Sequence, residues 1–291
     1  ELMEIIKAPV EHLEQVLVDD NVNQIAVILE TIAKSKVLEV VGLPIVNKVV
    51  VPMIPGFPEL KDEYTGASLT QDINALATIF KNIAEAKLMA TVKAFLGEYT
   101  TLLPKVEEDV VIPLRHDLYA DIIEKLFGLN LLNTNSVKQF AIDKLSGIGL
   151  PLDFSIVDAT NLNFAADGKI IAEGYLAFTN EFKQEVFSTF TFADILAIIT
   201  GKKDIMEIVP MLSKDNLYAL GHFASKVLTT TIVEEFGLVG FNFGKTQLPE
   251  NMKFLLNADL TKTEVVEDLV AIKEILQSLI DVFGDSFDDI V

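Results

Sequence analysis

Through much of this chain apolar residues recur at steps of three and four. After Asp72 they are Ile73, Leu76, Ile79, Phe80 and Ile83. After Asp268 they are Leu269, Ile272, Ile275, Leu276, Leu279, Ile280 and Phe283. That spacing lines one face of an α-helix and leaves the other face polar. "NVNQIAVIL" places Val22, Ile25, Ile28, Leu29 and Ile32 in the same phase, and "DLYADIIEKLF" (117–127) follows it less closely with Leu118, Ile122, Ile123, Leu126 and Phe127. The pattern predicts a mainly α chain, with more than half its residues helical.

One pentapeptide recurs at these places: "DINAL" at 72–76, "DILAI" at 194–198 and "DLVAI" at 268–272. Ser68 followed by Gln71, and Thr261 followed by Glu264, fit the capping box at a helix start. The lead-ins "ASLTQ" (67–71) and "ADLTK" (258–262) match as well. An Asp in a first turn meets exposed N–H groups and the positive end of the helix dipole. The Ala lets a neighbouring helix approach. The pentapeptide therefore reads as a helix-start motif with one face buried.

Other pieces recur. "LLNTNSVKQF" (131–140) resembles "MLSKDNLYAL" (211–220), with Asn133 and Ser213 as candidate N-caps, and "GLPLDFS" (149–155) resembles "GLVGFNFG" (237–244). The helix starts are spaced 51 residues from Asn21 to Asp72, 122 to Asp194 and 74 to Asp268. These intervals are too irregular for a strict solenoid. They suggest degenerate helical repeats of roughly 75–80 residues, packed as an array or bundle. The expected divisions are an N-terminal helical segment (1–65), helical repeats at 66–150 and 151–240, and the start of a further repeat at 241–291. Within 150–192, rich in Phe and β-branched residues, a helix over 168–182 capped by Asp167 is expected. A short β-hairpin turned at Asp167-Gly168 stays open as the alternative.

D-[IL]-x-A-[IL] helices joined by G-L-P-L-D-F-S-like linkers resemble the repeat regions of long cell-surface proteins of low-GC Gram-positive bacteria and their wall-less relatives. The resemblance covers about residues 20–285. It implies an extracellular or surface-attached, repetitive, non-catalytic chain, and it carries no functional residues with it.

Composition narrows the partners. Half of the 291 residues are hydrophobic, yet 23% are charged. The most apolar stretch, "VLEVVGLPIVNKVVVPMIPGFP" (37–58), is broken by Glu39, Asn47, Lys48 and four prolines. A spanning helix needs about 20 largely apolar residues, so no transmembrane segment is expected. A net charge of −20 repels phosphate backbones, which argues against nucleic acid. Arg115 is the sole arginine. The absence of cysteine removes disulfides, thiolate metal sites and cysteine nucleophiles. The chain opens at Glu1 without an initiator Met, and reads as a segment of a longer, exported protein.

Candidate chemistry is thin. The histidines, His12, His116 and His222, are far apart in sequence. His116 stands beside Asp117, but adjacent helical residues point about 100° apart, which does not suit a base oriented by its neighbour. His222 falls in an apolar helical pattern, which predicts partial burial. No nucleophile elbow, phosphate loop, dinucleotide fingerprint or zinc-protease motif occurs. The glycines of "SGIGL" (146–150) read as a helix end. Acids cluster at Asp19-Asp20, Glu107-Glu108-Asp109, Glu234-Glu235 and Asp285/Asp288/Asp289. "DATNLNFAADG" (158–168) has oxygen ligands at intervals that do not fit a calcium loop.

The expectation is a non-catalytic structural or interaction segment, without catalytic, cofactor or metal residues. Its partners would be other copies or neighbouring segments of the same protein. The interaction residues expected are Leu276, Leu279, Ile280 and Phe283, the apolar stripe of the last helix. The alternative is a carrier of lipid or another hydrophobic ligand in an apolar helical cavity.

Overall fold

The computed structural model describes residues 17–60, 63–99, 110–182, 213–251 and 259–288. Helix makes up 77% of them, in eleven α-helices, with no strand among the described residues. The mainly α class is thus as the periodicity predicts. The helices are α1 (Asp19–Ala33), α2 (Lys36–Ile45), α3 (Gly66–Glu85), α4 (Met89–Tyr99), α5 (His116–Phe127), α6 (Asn130–Asn133), α7 (Asn135–Gly147), α8 (Phe164–Glu181), α9 (Lys214–Val227), α10 (Thr231–Gln247) and α11 (Lys262–Asp288). No helix among the described residues is long and apolar enough to cross a membrane.

The repeat is longer than the sequence suggests. α3, α8 and α11 open at Gly66, Phe164 and Lys262, each 98 residues beyond the last, and α5 and α9 open at His116 and Lys214, also 98 apart. Three units follow: α1–α2–α3, α5–α6–α7–α8 and α9–α10–α11. The expected length of roughly 75–80 residues falls short because the pentapeptide copies do not occupy equivalent positions. The boundary expected at 240/241 cuts α10.

The first and last helices of the units form a row. α1 packs on α3, α3 on α5, α5 on α8, α8 on α9 and α9 on α11. The middle helices and their linkers make a second tier. One buried cluster joins Leu60 and Tyr64 of the first linker to Val137 of α7, with Leu43, Val51 and Phe57 packed against it. Its counterpart joins Phe154, Val157 and Leu162 of the second linker to Ile142 of α7 and Val239 of α10. Each linker is thus wedged between successive middle helices, and its apolar residues leave water there.

Local starts and stops follow known chemistry, with corrections to the expected caps. The Thr261–Glu264 box forms: the Thr261 N–H and hydroxyl donate to Glu264 Oε2, and the Glu264 N–H donates to Thr261 Oγ1. Ser213 caps α9, accepting from the Asn216 N–H. Ser68 does not cap α3. Thr65, three residues earlier, does, and accepts from the Ser68 N–H. Asn133 does not cap α7, which starts after Thr134. Asp167 does not cap α8, because Asn163 accepts the Ala166 N–H in that role. The stretch 168–181 is helical, so no hairpin forms at Asp167-Gly168; residues 183–192 lie outside the described chain. Gly149 has φ of 75° just past α7, the left-handed helix end expected of "SGIGL".

Candidate functional site

The carboxylates of the helix row have a role that the sequence does not announce. Asp72 lies in the second turn of α3, too deep to cap its own helix, and is 5% exposed. Its Oδ1 accepts from the Asn130 N–H at 2.6 Å and the Asn130 side-chain amide at 2.9 Å. Its Oδ2 accepts from the Leu131 N–H at 2.8 Å and the Tyr64 hydroxyl at 3.0 Å. Those N–H groups open α6, in the next unit. Burial and then the Asp72 charge push the Tyr64 phenol far above its ordinary value, so it stays a donor.

The device recurs one unit on. Asp167 of α8 accepts from the Thr231 N–H at 2.8 Å, the Thr231 hydroxyl at 2.6 Å and the Ile232 N–H at 2.9 Å, the first donors of α10. A helix start leaves its first N–H groups without intrahelical partners. In both joints a buried carboxylate from the preceding unit supplies them, helped by the dipole.

Glu235 closes the second joint to the third unit. Its side chain is buried and accepts from the Asp158 N–H at 2.7 Å, the Asn161 amide at 2.9 Å and the Lys262 ammonium. Burial alone would push this carboxyl up; the Lys262 ammonium, the Asp158 N–H and the Asn161 amide together hold it below the usual range. Lys138, also buried, donates to the Leu162 carbonyl at 2.7 Å and pins the second linker, and burial lowers its pKa.

The expected chemistry-bearing residues are engaged in packing. His116 stands at the start of α5, where its Nδ1 pairs with the Tyr175 hydroxyl at 2.7 Å and ties α5 to α8. Burial lowers the His116 pKa, and burial pushes the Tyr175 phenol up to about 12. His222 is exposed rather than partly buried, and its Nδ1 meets Glu181 at 2.7 Å. Arg115 bridges Glu85 and Asp117 at the surface. Asp158 accepts from the N–H and hydroxyl of Thr160 in a local turn. No group of three or more potential metal ligands occurs among the described residues. His12 and Glu107-Glu108-Asp109 lie outside the described chain, as do the side chains of Asp285, Asp288 and Asp289.

Apolar surface is exposed at the two ends of the row, and also elsewhere, at Val49, Val50, Met53, Val111, Ile148 and Leu150 among others. On α11, Ile272, Ile275, Leu276, Leu279 and Val282 are exposed. At the other end Val27 and Ile28 of α1 and Val37, Val40, Val41 and Ile45 of α2 are exposed. Of the expected interaction residues, Leu276 and Leu279 are exposed, Ile280 is half-buried, and the Phe283 side chain lies outside the described set. Ile272, Ile275 and Val282 belong to the same face and were not singled out. Between α9 and α11 runs an apolar groove of about 730 Å³, lined by Leu217, Leu220 and Ala224 on one side and Leu269, Leu276 and Ile280 on the other.

Comparison with protein-family models, with curated proteins and with solved structures finds no match to this chain.

Proposed function

We propose that the chain is a non-catalytic structural or interaction segment of an extracellular or surface protein, a scaffold of helical units that assembles through its ends. The observation that carries this is the pair of apolar end faces on a row whose internal faces of the same kind are covered. Contiguous exposed apolar surface marks an interaction site, since each such side chain gains about 1.5–3 kcal/mol on burial. The placement outside the cell rests on the resemblance of its helices and linkers to surface-protein repeats. The net charge of −20 disfavours nucleic acid as a partner. The most enzyme-like grouping, His116 with Tyr175, serves to hold two helices together.

A second reading has its own observation. The α9–α11 groove is apolar and of a size that accepts a lipid chain, which favours a carrier of hydrophobic ligands. Native mass spectrometry of the purified chain separates the two. The scaffold reading expects whole multiples of 32.1 kDa without adducts. An apolar adduct held one to one, and lost on Leu220→Trp, would replace the scaffold with the carrier.

A further inference from the structure

One joint is built twice inside this chain. Asp72 of α3 receives the opening N–H groups of α6, and Asp167 of α8 receives those of α10. Each joint has an accepting half, a carboxylate-bearing helix face of the earlier unit. Its donating half is the open start of the later unit's middle helix, with the helix before it.

A half of each joint stands at either end of the row: α11 in the register of α3, and the start of α2 in the register of the start of α10. α11 repeats the accepting half of α3 position by position. Asp268 is followed by Ile272, Ile275, Leu276 and Leu279 where Asp72 is followed by Leu76, Ile79, Phe80 and Ile83. Asp268, Ile272, Ile275, Leu279 and Val282 share one face of the helix. Ile79 is 7% exposed within its joint, whereas Ile275 is 60% exposed. Asp268 is likewise exposed, where Asp72 is buried. At the other end, α2 opens after Ser35, whose side chain makes no capping hydrogen bond. Among the described residues no side chain accepts from the Lys36 or Val37 N–H groups. The flanking Val27, Ile28, Val37, Val40 and Val41 are exposed.

Resting on the scaffold reading, we infer that the α11 face of one copy docks on the α1–α2 face of a second copy, head to tail, with Asp268 accepting from the opening N–H groups of the partner's α2. The occupant is a second copy because the chain itself carries both halves of the joint that it builds twice internally. The carboxylate meets the positive end of the α2 dipole, beside Lys34 and Lys36. The contact is heterologous, so it does not close and grows as a filament. A net charge of −20 on each copy opposes growth, and salt screens that repulsion.

Sedimentation of the 291-residue chain over a concentration series, at low and high salt, tests this. The mass should rise without limit with concentration, and more steeply in high salt. Leu279→Asp spoils the accepting half and Val40→Asp the donating half. Both residues are exposed, so circular dichroism should stay helical while each variant alone stays monomeric. Mixed one to one, the two variants should give a dimer and nothing larger, because each keeps the half the other has lost. Asp268→Asn should weaken association about tenfold. A chain monomeric at every concentration overturns the inference. So does a Val40→Asp variant that still self-associates, which would mean that α11 faces pair with each other. The second result leaves the scaffold reading standing with a different pairing of its ends. A chain monomeric at every concentration removes the assembly from that reading as well, and an apolar adduct replaces it with the carrier.

Discussion

The side chains that decide this structure are buried acids. Replacing Asp167 by Ala strands the N–H groups of Thr231 and Ile232 and the Thr231 hydroxyl in a part-buried site. Leaving such donors unpaired costs about 1–3 kcal/mol apiece. We expect Asp167→Ala to lower stability by about 3 kcal/mol, read as a lower denaturant midpoint; a loss under about 0.5 kcal/mol would refute the joint. Glu235 gives a pH signature. Its folded pKa is depressed below the ordinary 4.5, so its contribution is fully present above that value and is lost as pH falls through the folded value. The wild type should therefore lose stability on the acid side of about pH 4.5 more steeply than Glu235→Gln. Parallel acid limbs for the two proteins would show that the ion pair with Lys262 does not stabilise the fold.

At the level of elements, periodicity located α1, α3, α5 and α11, because each has a single buried face. It misread what the acids at their starts do. Asp72 has the look of a first-turn residue, yet Thr65 starts α3 earlier and the partner of Asp72 lies 58 residues away. A hydrogen bond that spans two units leaves no local spacing to read. The recurrence was hidden for the same reason. Asp72 and Asp268 are equivalent two units apart, while the intervening unit carries its carboxylate as Asp167 in "AADGKI", which lacks the pentapeptide. The last helix's apolar stripe was legible in part: Leu276 and Leu279 were visible from the steps of three and four, but its centre at Ile275 required knowing which face α9 covers. Close helix approach also rests on a residue outside the pentapeptide: at α5–α8 it is Gly168, where an added Cβ would stand 2.2 Å from Phe127 Cβ. Gly168→Ala should cost about 1–3 kcal/mol by overpacking, measured by thermal unfolding. A neutral result would mean that the two helices can separate freely.

Taken whole, the molecule is a row in which each element touches mainly its neighbours, as in other repeat architectures. Stability in such a row is a sum over units and joints. Composition and motif do not show this from one unit to the next, because the pentapeptide recurs between α3 and α11, two units apart, and is missing from α8.

A 98-residue spacing also sets how the row would yield under tension. Load applied at the two ends passes through every joint in series, so the weakest gives first and the rest hold. Each released unit would lengthen the chain by roughly 300 Å, from the reach of an extended backbone. Pulled in an optical trap, the chain should lengthen in steps of that size, and Asp167→Ala should lower the force of one step while sparing the others. A single rip of the whole chain would mean that the joints are no weaker than the units they connect. A row of such units would give way by stages under load and re-form when the load falls.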